Sequence, residues 1–461
     1  MIAMKRNQRD LTSGPLLSGI VAYTVPIILT SVLQLLFNAA DLVVVGRFRG
    51  SLAVGAVGAT GSITNLIVNL FVGLSVGAGV CVAHAIGAKQ EKMLHRTVHT
   101  AIFVALAGGV FLTGIGVSLS GTFLQLMDTP AEILPLATQY MQIYFCGMTF
   151  NLIYNFCAAI LRAAGDTKSP LLYLSAAGVL NVILNLFFVV ICGMSVAGVA
   201  LATIIAQALS AVLVVRALMR RTDSCRLDIR KITIHKAQLL RILRIGIPAG
   251  IQGSLFAISN VIIQSSINSF GDIAVAGNAA AANIEGFVYV SMNAFSQTAV
   301  NYTGQNVGAC RYDRVRKIFF LCTVCVAVTG LLLGGSAFLA ARPLLSIYIT
   351  DSPEAIAYGI TRMSFVGLLY FLCGMMDVAT GSLRGLGSSV APMIISVLGV
   401  CGIRLGWIFT IFRDPRFHSM ESLFISYPIS WTITFLIEML AFIIIFRRHI
   451  KQSTSPLYST L

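Results

Sequence analysis

VPIILTSVLQLLFNAAD (Val25–Asp41) and IPAGIQGSLFAISNVII (Ile247–Ile263) are two copies of one pattern, an apolar, helix-length run opening around a proline and set 222 residues apart. LRAAGDTKSP (Leu161–Pro170) returns as LRGLGSSVAP (Leu383–Pro392) at the same offset. Between these anchors Ser75, Ala78, Gly87 and Ala88 recur as Ser296, Ala299, Gly308 and Ala309, offset by 221. Registered blocks in intact order mark an internal duplication. In a membrane protein, a duplication of this size points to two bundles meeting at a central cavity.

Composition identifies the solvent. Of 461 residues, 57% are hydrophobic and 11% charged, with a mean hydropathy of +0.87, which excludes a soluble globular chain. Apolar runs of about 20 residues or more recur along the whole length, each able to cross a hydrocarbon core of about 30 Å. Twelve are expected, the first near 18–46 and the last near 424–446. Short loops and abundant Gly inside the segments fit a helical bundle, because backbone groups in lipid must be satisfied within the helix. The predicted fold is therefore an all-α polytopic membrane protein, with twelve transmembrane helices in two pseudo-symmetric six-helix lobes. Residues 1–219 form the N-lobe, 220–245 a basic linker and 246–461 the C-lobe with a short tail. Six spans per half is an even number, so the two halves keep one orientation and are related by an axis along the membrane normal.

A net charge of +15 resembles a nucleic-acid signature until it is mapped onto the spans. Loops on the side of the two termini hold 25 Lys and Arg, from Lys5, Arg6 and Arg9 to Arg447, Arg448 and Lys451, including nine between Arg216 and Arg244. The opposite loops hold five: Arg47, Arg49, Arg342, Arg413 and Arg416. This asymmetry predicts both termini in the cytoplasm of a multi-pass membrane protein, with lipid headgroups and not nucleic acid as the partner of the basic loops. The linker RRTDSCRLDIRKITIHKAQLLRILRI (220–245) reads either as an amphipathic helix at the membrane surface or as a solvated connection.

Enzyme chemistry finds little support. Most of the ten Cys fall in apolar spans, where Cys acts as a small hydrophobe, and the lone C-x-x-C of Cys322 and Cys325 has no second pair or nearby His. No metal site and no cofactor are expected. No G-x-x-x-x-G-K-[ST] loop is present, so direct ATP power is not expected either.

Pro26, Asn38, Asp41 and Gly46 form the pattern P-x11-N-x2-D-x4-G. Together with the LRAAGDTKSP and LRGLGSSVAP pair, the run GNAAAANIEGFVYVSMNAFSQ (Gly277–Gln297) and twelve spans around a basic central loop, it resembles the multidrug and toxic compound extrusion (MATE) family, in its first span the DinF-like bacterial branch. The resemblance covers nearly the whole chain. It implies two six-helix lobes enclosing a V-shaped cavity and export of drugs or metabolites against inward Na⁺ or H⁺. It also implies an N-lobe cation site at Asp41, with polar partners at the matching positions Asn155, Asn181, Asn185 and Thr203. The second span-5 position, often aspartate in that branch, is Asn185 here, which weakens the case for a strongly held Na⁺ and leaves proton coupling open.

Charge inside the membrane leads to the same class of site. Four of the 17 acidic residues lie within spans: Asp41, Glu285, Asp377 and Glu438. A carboxylate at the bilayer centre costs at least about 2.5–3.5 kcal/mol, so each needs a partner, a cavity or a proton. Asp41 reads as a coupling carboxyl or as an anchor paired with Arg47. Glu285 and Asp377 read as substrate-binding or proton-carrying groups, with Asn38 beside them, or as structural partners of Arg404. Glu438 reads as structural, and Arg362 as a snorkelling residue near the outer end of its span. Met148, Phe150, Tyr154, Phe287, Tyr289, Met292 and Phe295 read either as a soft lining for bulky organic cations or as helix packing.

The expected function is secondary active export of small organic cations by alternating access, coupled to H⁺ or Na⁺, with a monomer as the working unit. The alternative, a lipid-linked oligosaccharide flippase, calls for several cationic groups inside the membrane, and only Arg362 and Arg404 lie there.

Overall fold

The computed structural model describes residues 9–350 and 352–453, so Lys5 and Arg6 of the basic terminus lie outside the described residues. Sixteen α-helices follow one another among them: α1 Leu16–Arg49, α2 Ser51–Gly87, α3 Glu91–Leu126, α4 Leu134–Cys146, α5 Met148–Ala163, α6 Lys168–Leu186, α7 Val196–Met219 and α8 Lys236–Asn268, then α9 Asp272–Gly308, α10 Tyr312–Leu339, α11 Ala341–Tyr348, α12 Pro353–Arg362, α13 Phe371–Gly385, α14 Val390–Ser396, α15 Ile403–Phe409 and α16 Met420–Ser453. Ten spans are long and apolar enough to cross a membrane, one of them running through α14 and α15. The pairs α4/α5, bent by 48°, and α12/α13, bent by 41°, bring the number to twelve when each pair is one span. At about 1.5 Å per residue, the 37-residue α2 and α9 reach about 55 Å and outrun the hydrocarbon core. Lipid replaces water as the outer solvent, which is why α10 leaves Phe320, Leu332 and Leu339 bare.

The duplication is visible in the backbone. Six of the nine left-handed residues among the described ones occur in pairs at the repeat offset of 221 or 222: Gly50 with Gly271, Lys89 with Cys310, and Gly165 with Gly387. Gly165, at φ +83°, also lies so close to the Arg9 carbonyl that a Cβ would sit 2.1 Å from its oxygen, so both the turn and the packing demand glycine.

Contacts divide the chain into two compact units. One holds Met1–Asp10 and Leu29–Gly250, the other Leu11–Ile28 and Ile251–Leu461. The divisions do not fall in the linker. One lies between Asp10 and Leu11, ahead of α1, and the other two fall inside α1 and α8, each two residues past the internal proline, Pro26 or Pro248. Proline removes one i→i−4 bond and lets a helix bend, so the stretches before and after it pack on different neighbours. In the first unit, α8 crosses α2 backbone to backbone: a Cβ on Gly73 would lie 2.2 Å from Gly250 N, and one on Gly246 2.6 Å from Leu74 Cα. In the second unit, the repeat-related crossing of α1 and α9 is closed by a hydroxyl pair, Thr24 and Thr298, at 2.8 Å.

The linker contains no separate amphipathic helix. Residues 220–235 hold only the short turn Ile229–Lys231, and residues from Lys236 onward are the first turns of α8. Arg221 pairs with Asp223 within the strap, and His99 of α3 ties it down by accepting from the N–H of Asp228 at Nε2, 3.2 Å away. Burial pushes the thiol of Cys225, on the same strap, up to about 12, so it behaves as an inert packing group.

Candidate ion-coupling site

In the first unit, α1, α6 and α7 bring four of the expected residues together. Asn181 and Asn185, one turn apart on α6, share a face and are buried. Asn185 Nδ2 donates to Asp41 Oδ1 at 2.5 Å and lies 3.3 Å from Asn181 Oδ1. Asn181 Nδ2 reaches Thr203 Oγ1 at 3.5 Å. The single hydroxyl proton of Thr203 has a better acceptor in Val199 O, at 2.9 Å, than in Asp41 Oδ2, at 3.5 Å. The Thr203 oxygen is thereby left turned toward the group as an acceptor.

Asp41 therefore has amide and hydroxyl neighbours and no cation. No described Lys, Arg or His forms an ion pair with it, and Arg47 is not its partner. Arg49, two residues further on, donates instead to Val189 O at 2.6 Å. Asn185 Oδ1 is buried without a hydrogen-bond donor. A carboxyl, an orphaned amide oxygen and a hydroxyl oxygen on three helices make a set that a proton or a small hard cation satisfies.

Two expected members stand apart. Asn155 on α5 spends its amide on Asn151, donating to the backbone and side-chain oxygens at 2.9 Å each. Asn38, almost one turn before Asp41, is exposed and has no hydrogen bond to the group among the described residues. Tyr140 and Tyr144 of α4, stacked at 6.0 Å, lie within electrostatic reach of Asp41. Sequence reading missed them, although their four-residue spacing was the available signal.

The second unit treats its carboxyls differently. Glu285 on α9 is buried and ion-paired with Arg362, which is tied in and does not snorkel. Arg362 Nε and Nη2 donate to Glu285 Oε2 at 3.0 and 2.8 Å, and Nη1 donates to Asn278 Oδ1 at 2.7 Å. The guanidinium lies 5.6 Å from the Phe424 ring and 5.9 Å from that of Tyr427. Arg362 ends α12, where a π-helical turn, Met363–Gly367, widens the helix and seats Gly367 against Glu285. Arg404, the partner envisaged from sequence, stacks on Tyr427 at 3.9 Å and donates to Ser430 Oγ at 3.0 Å. Asp377 on α13 accepts from Ser296 through its backbone carbonyl at 2.6 Å, and its carboxyl Oδ2 has no partner. Of the suggested lining residues, Met148, Tyr154, Met292 and Phe295 are buried packing, while Phe150 and Tyr289 are partly exposed.

The model of the MatE family matches this chain twice, over residues 26–187 and 248–409, at the 222-residue offset of the duplication. The chain belongs to the MatE family. Its membership makes it a multi-pass membrane transporter. This MatE protein is 27% identical to the probable multidrug resistance protein YpnP of Bacillus subtilis, over 86% of its own length and 88% of the relative's. It is 26% identical to the probable multidrug resistance protein NorM of Thermotoga maritima, over 86% and 85%. Among solved structures, a MATE crystal structure in the bent conformation superposes with a TM-score of 0.89 at 20% identity, covering 96% of this chain and 98% of the other. An outward-facing multidrug resistance MATE transporter superposes with a TM-score of 0.88 at 20% identity and the same coverage.

Proposed function

We propose that this MatE protein is a secondary active multidrug exporter of the bacterial cytoplasmic membrane. It exchanges small organic cations for H⁺ or Na⁺ by alternating access, with both termini in the cytoplasm. The observation that carries the reading is the state of Asp41, an intramembrane carboxyl that accepts from Asn185, lies beside the Thr203 hydroxyl oxygen and has no described protein cation in ion-pair contact. Such a group keeps its charge available for a proton or an ion. Binding at Asp41 favours one cavity state and substrate the other, each acting through its differential affinity for the two states. The names of the relatives support drug-like cargo, and the basic loops on the terminal side support the orientation.

A flippase for pyrophosphate-linked lipids has little in its favour. Arg362 is neutralised by Glu285, Arg404 is committed to Tyr427 and Ser430, and Arg384, in the last turn of α13, donates to Gln252. The test is reconstitution in liposomes, following a fluorescent organic cation under an imposed H⁺ or Na⁺ gradient. Wild type concentrates the dye only with a gradient. Gradient-independent movement, or full activity of Asp41→Asn, overturns the reading.

A further inference from the structure

Glu438, on α16, is the most completely buried carboxyl among the described residues and has no part in the site above. Thr380 Oγ1 of α13 lies 2.8 Å from its Oε1 and 2.9 Å from its Oε2, while Ser396 Oγ of α14 lies 2.6 Å from Oε1. Both hydroxyl residues are themselves buried. No described Lys, Arg or His comes within ion-pair distance. A bare carboxylate enclosed in this way lacks the countercharge that burial requires.

The hydroxyl arithmetic points to a proton. Thr380 has one hydroxyl hydrogen and two carboxyl oxygens at bonding distance, so a full bond serves only one of them. A proton on Oε2 supplies the other bond, with the acid O–H donating to Thr380 Oγ1. Thr380 and Ser396 then both donate to Oε1. Every polar atom of the group is satisfied in the neutral form.

The surroundings also offer the ionised form a place. Asp377 and Arg384 flank Thr380 on α13, one turn before and one turn after it. Together with Cys373 of the same helix they are the titratable and charged groups within electrostatic reach of Glu438. Arg384 donates to Gln252 at 2.8 Å while its Nε stays buried without a partner, a spare donor for a carboxylate. Two irregularities border the group. Ser396 runs directly into the π-helical turn Val397–Gly402, and Pro428 interrupts the bonding of α16 ten residues before Glu438.

We propose that Glu438, with Thr380 and Ser396, is a second proton-exchange site of this transporter, lodged in the second unit and separate from Asp41. The O–H bond of the acid breaks, the proton passes to water admitted when α16 and α13 part, and Arg384 takes up the remaining charge. The inference rests on the ion-coupled export reading, and its test separates the two.

Wild type, Asp41→Asn and Glu438→Gln are reconstituted and assayed for proton-driven accumulation of a fluorescent organic cation. Purified protein is titrated in parallel by infrared spectroscopy, following the C=O stretch of protonated carboxyls. Glutamine mimics the neutral acid, so Glu438→Gln folds and melts as wild type but loses proton-driven accumulation, and one titrating C=O band disappears. Wild-type transport by Glu438→Gln, or a Glu438 band that never titrates, overturns the second site while an inactive Asp41→Asn leaves the export reading standing. Full activity of both variants overturns both. If Glu438→Gln does not fold, Ser396→Ala serves: the titrating band shifts if it belongs to Glu438, and an unshifted spectrum overturns the proposal.

Discussion

Asp41 and Glu285 are both single carboxyls inside the membrane, one in each unit, and they are handled in opposite ways. Asp41 accepts from one amide, that of Asn185, lies beside the Thr203 hydroxyl oxygen, and has no described protein cation to meet its charge. Glu285 accepts two bonds from one guanidinium, both at Oε2, which meets its charge within the protein and pins α9 to α12. On the function proposed above, the same residue class serves exchange in one place and architecture in the other. The difference lies in whether a neighbouring helix end carries a cation.

The comparison breaks first at Asp41. Asparagine there retains the shape and loses the exchangeable charge, so gradient-driven accumulation disappears while thermal stability in detergent stays unchanged. Glu285 gives the reverse pattern. Arg362→Ala strands a buried carboxylate and costs about 3–5 kcal/mol of stability, whereas the double variant Glu285→Gln with Arg362→Met recovers most of that loss. Thermal melting of single and double variants measures the pair directly, and a double variant no more stable than Arg362→Ala contradicts a structural role.

Smaller effects sharpen the Asp41 side. Asn185→Ala removes a hydrogen bond to a charged group, worth about 1.5–3 kcal/mol, and shifts the ion concentration for half-maximal transport by about ten- to a hundredfold. Thr203→Val removes a 3.5 Å contact whose proton already serves Val199, and changes that midpoint by about twofold at most. A Thr203→Val effect equal to that of Asn185→Ala places the hydroxyl among the essential ligands and revises the geometry.

Much of the candidate site was legible because the resemblance to the MATE family implied partners for Asp41 at Asn181, Asn185 and Thr203, and short-range rules added to it. The i,i+4 pair Asn181 and Asn185 must share a helix face, and Asp41 stands out as a charge in an apolar run. Asn155 does not bond to the group, because its amide turns to Asn151 on its own helix. Arg362 read as snorkelling because its partner lies 77 residues away in sequence. Glu438 read as structural, and its two hydroxyl partners, 58 and 42 residues distant, were not legible from the sequence.

By itself, the sequence determined that this chain is a duplicated twelve-span membrane protein of MATE type with Asp41 as its leading carboxyl. Hydropathy, repeat offset and composition are local sums, and lipid admits few ways to satisfy a backbone. Tertiary structure alone decided which carboxyl is neutralised, which is held only by dipoles, and where α1 and α8 pass from one unit to the other. Electrostatic pairing depends on distances of a few ångströms between residues remote in sequence, and only packed helices set those distances.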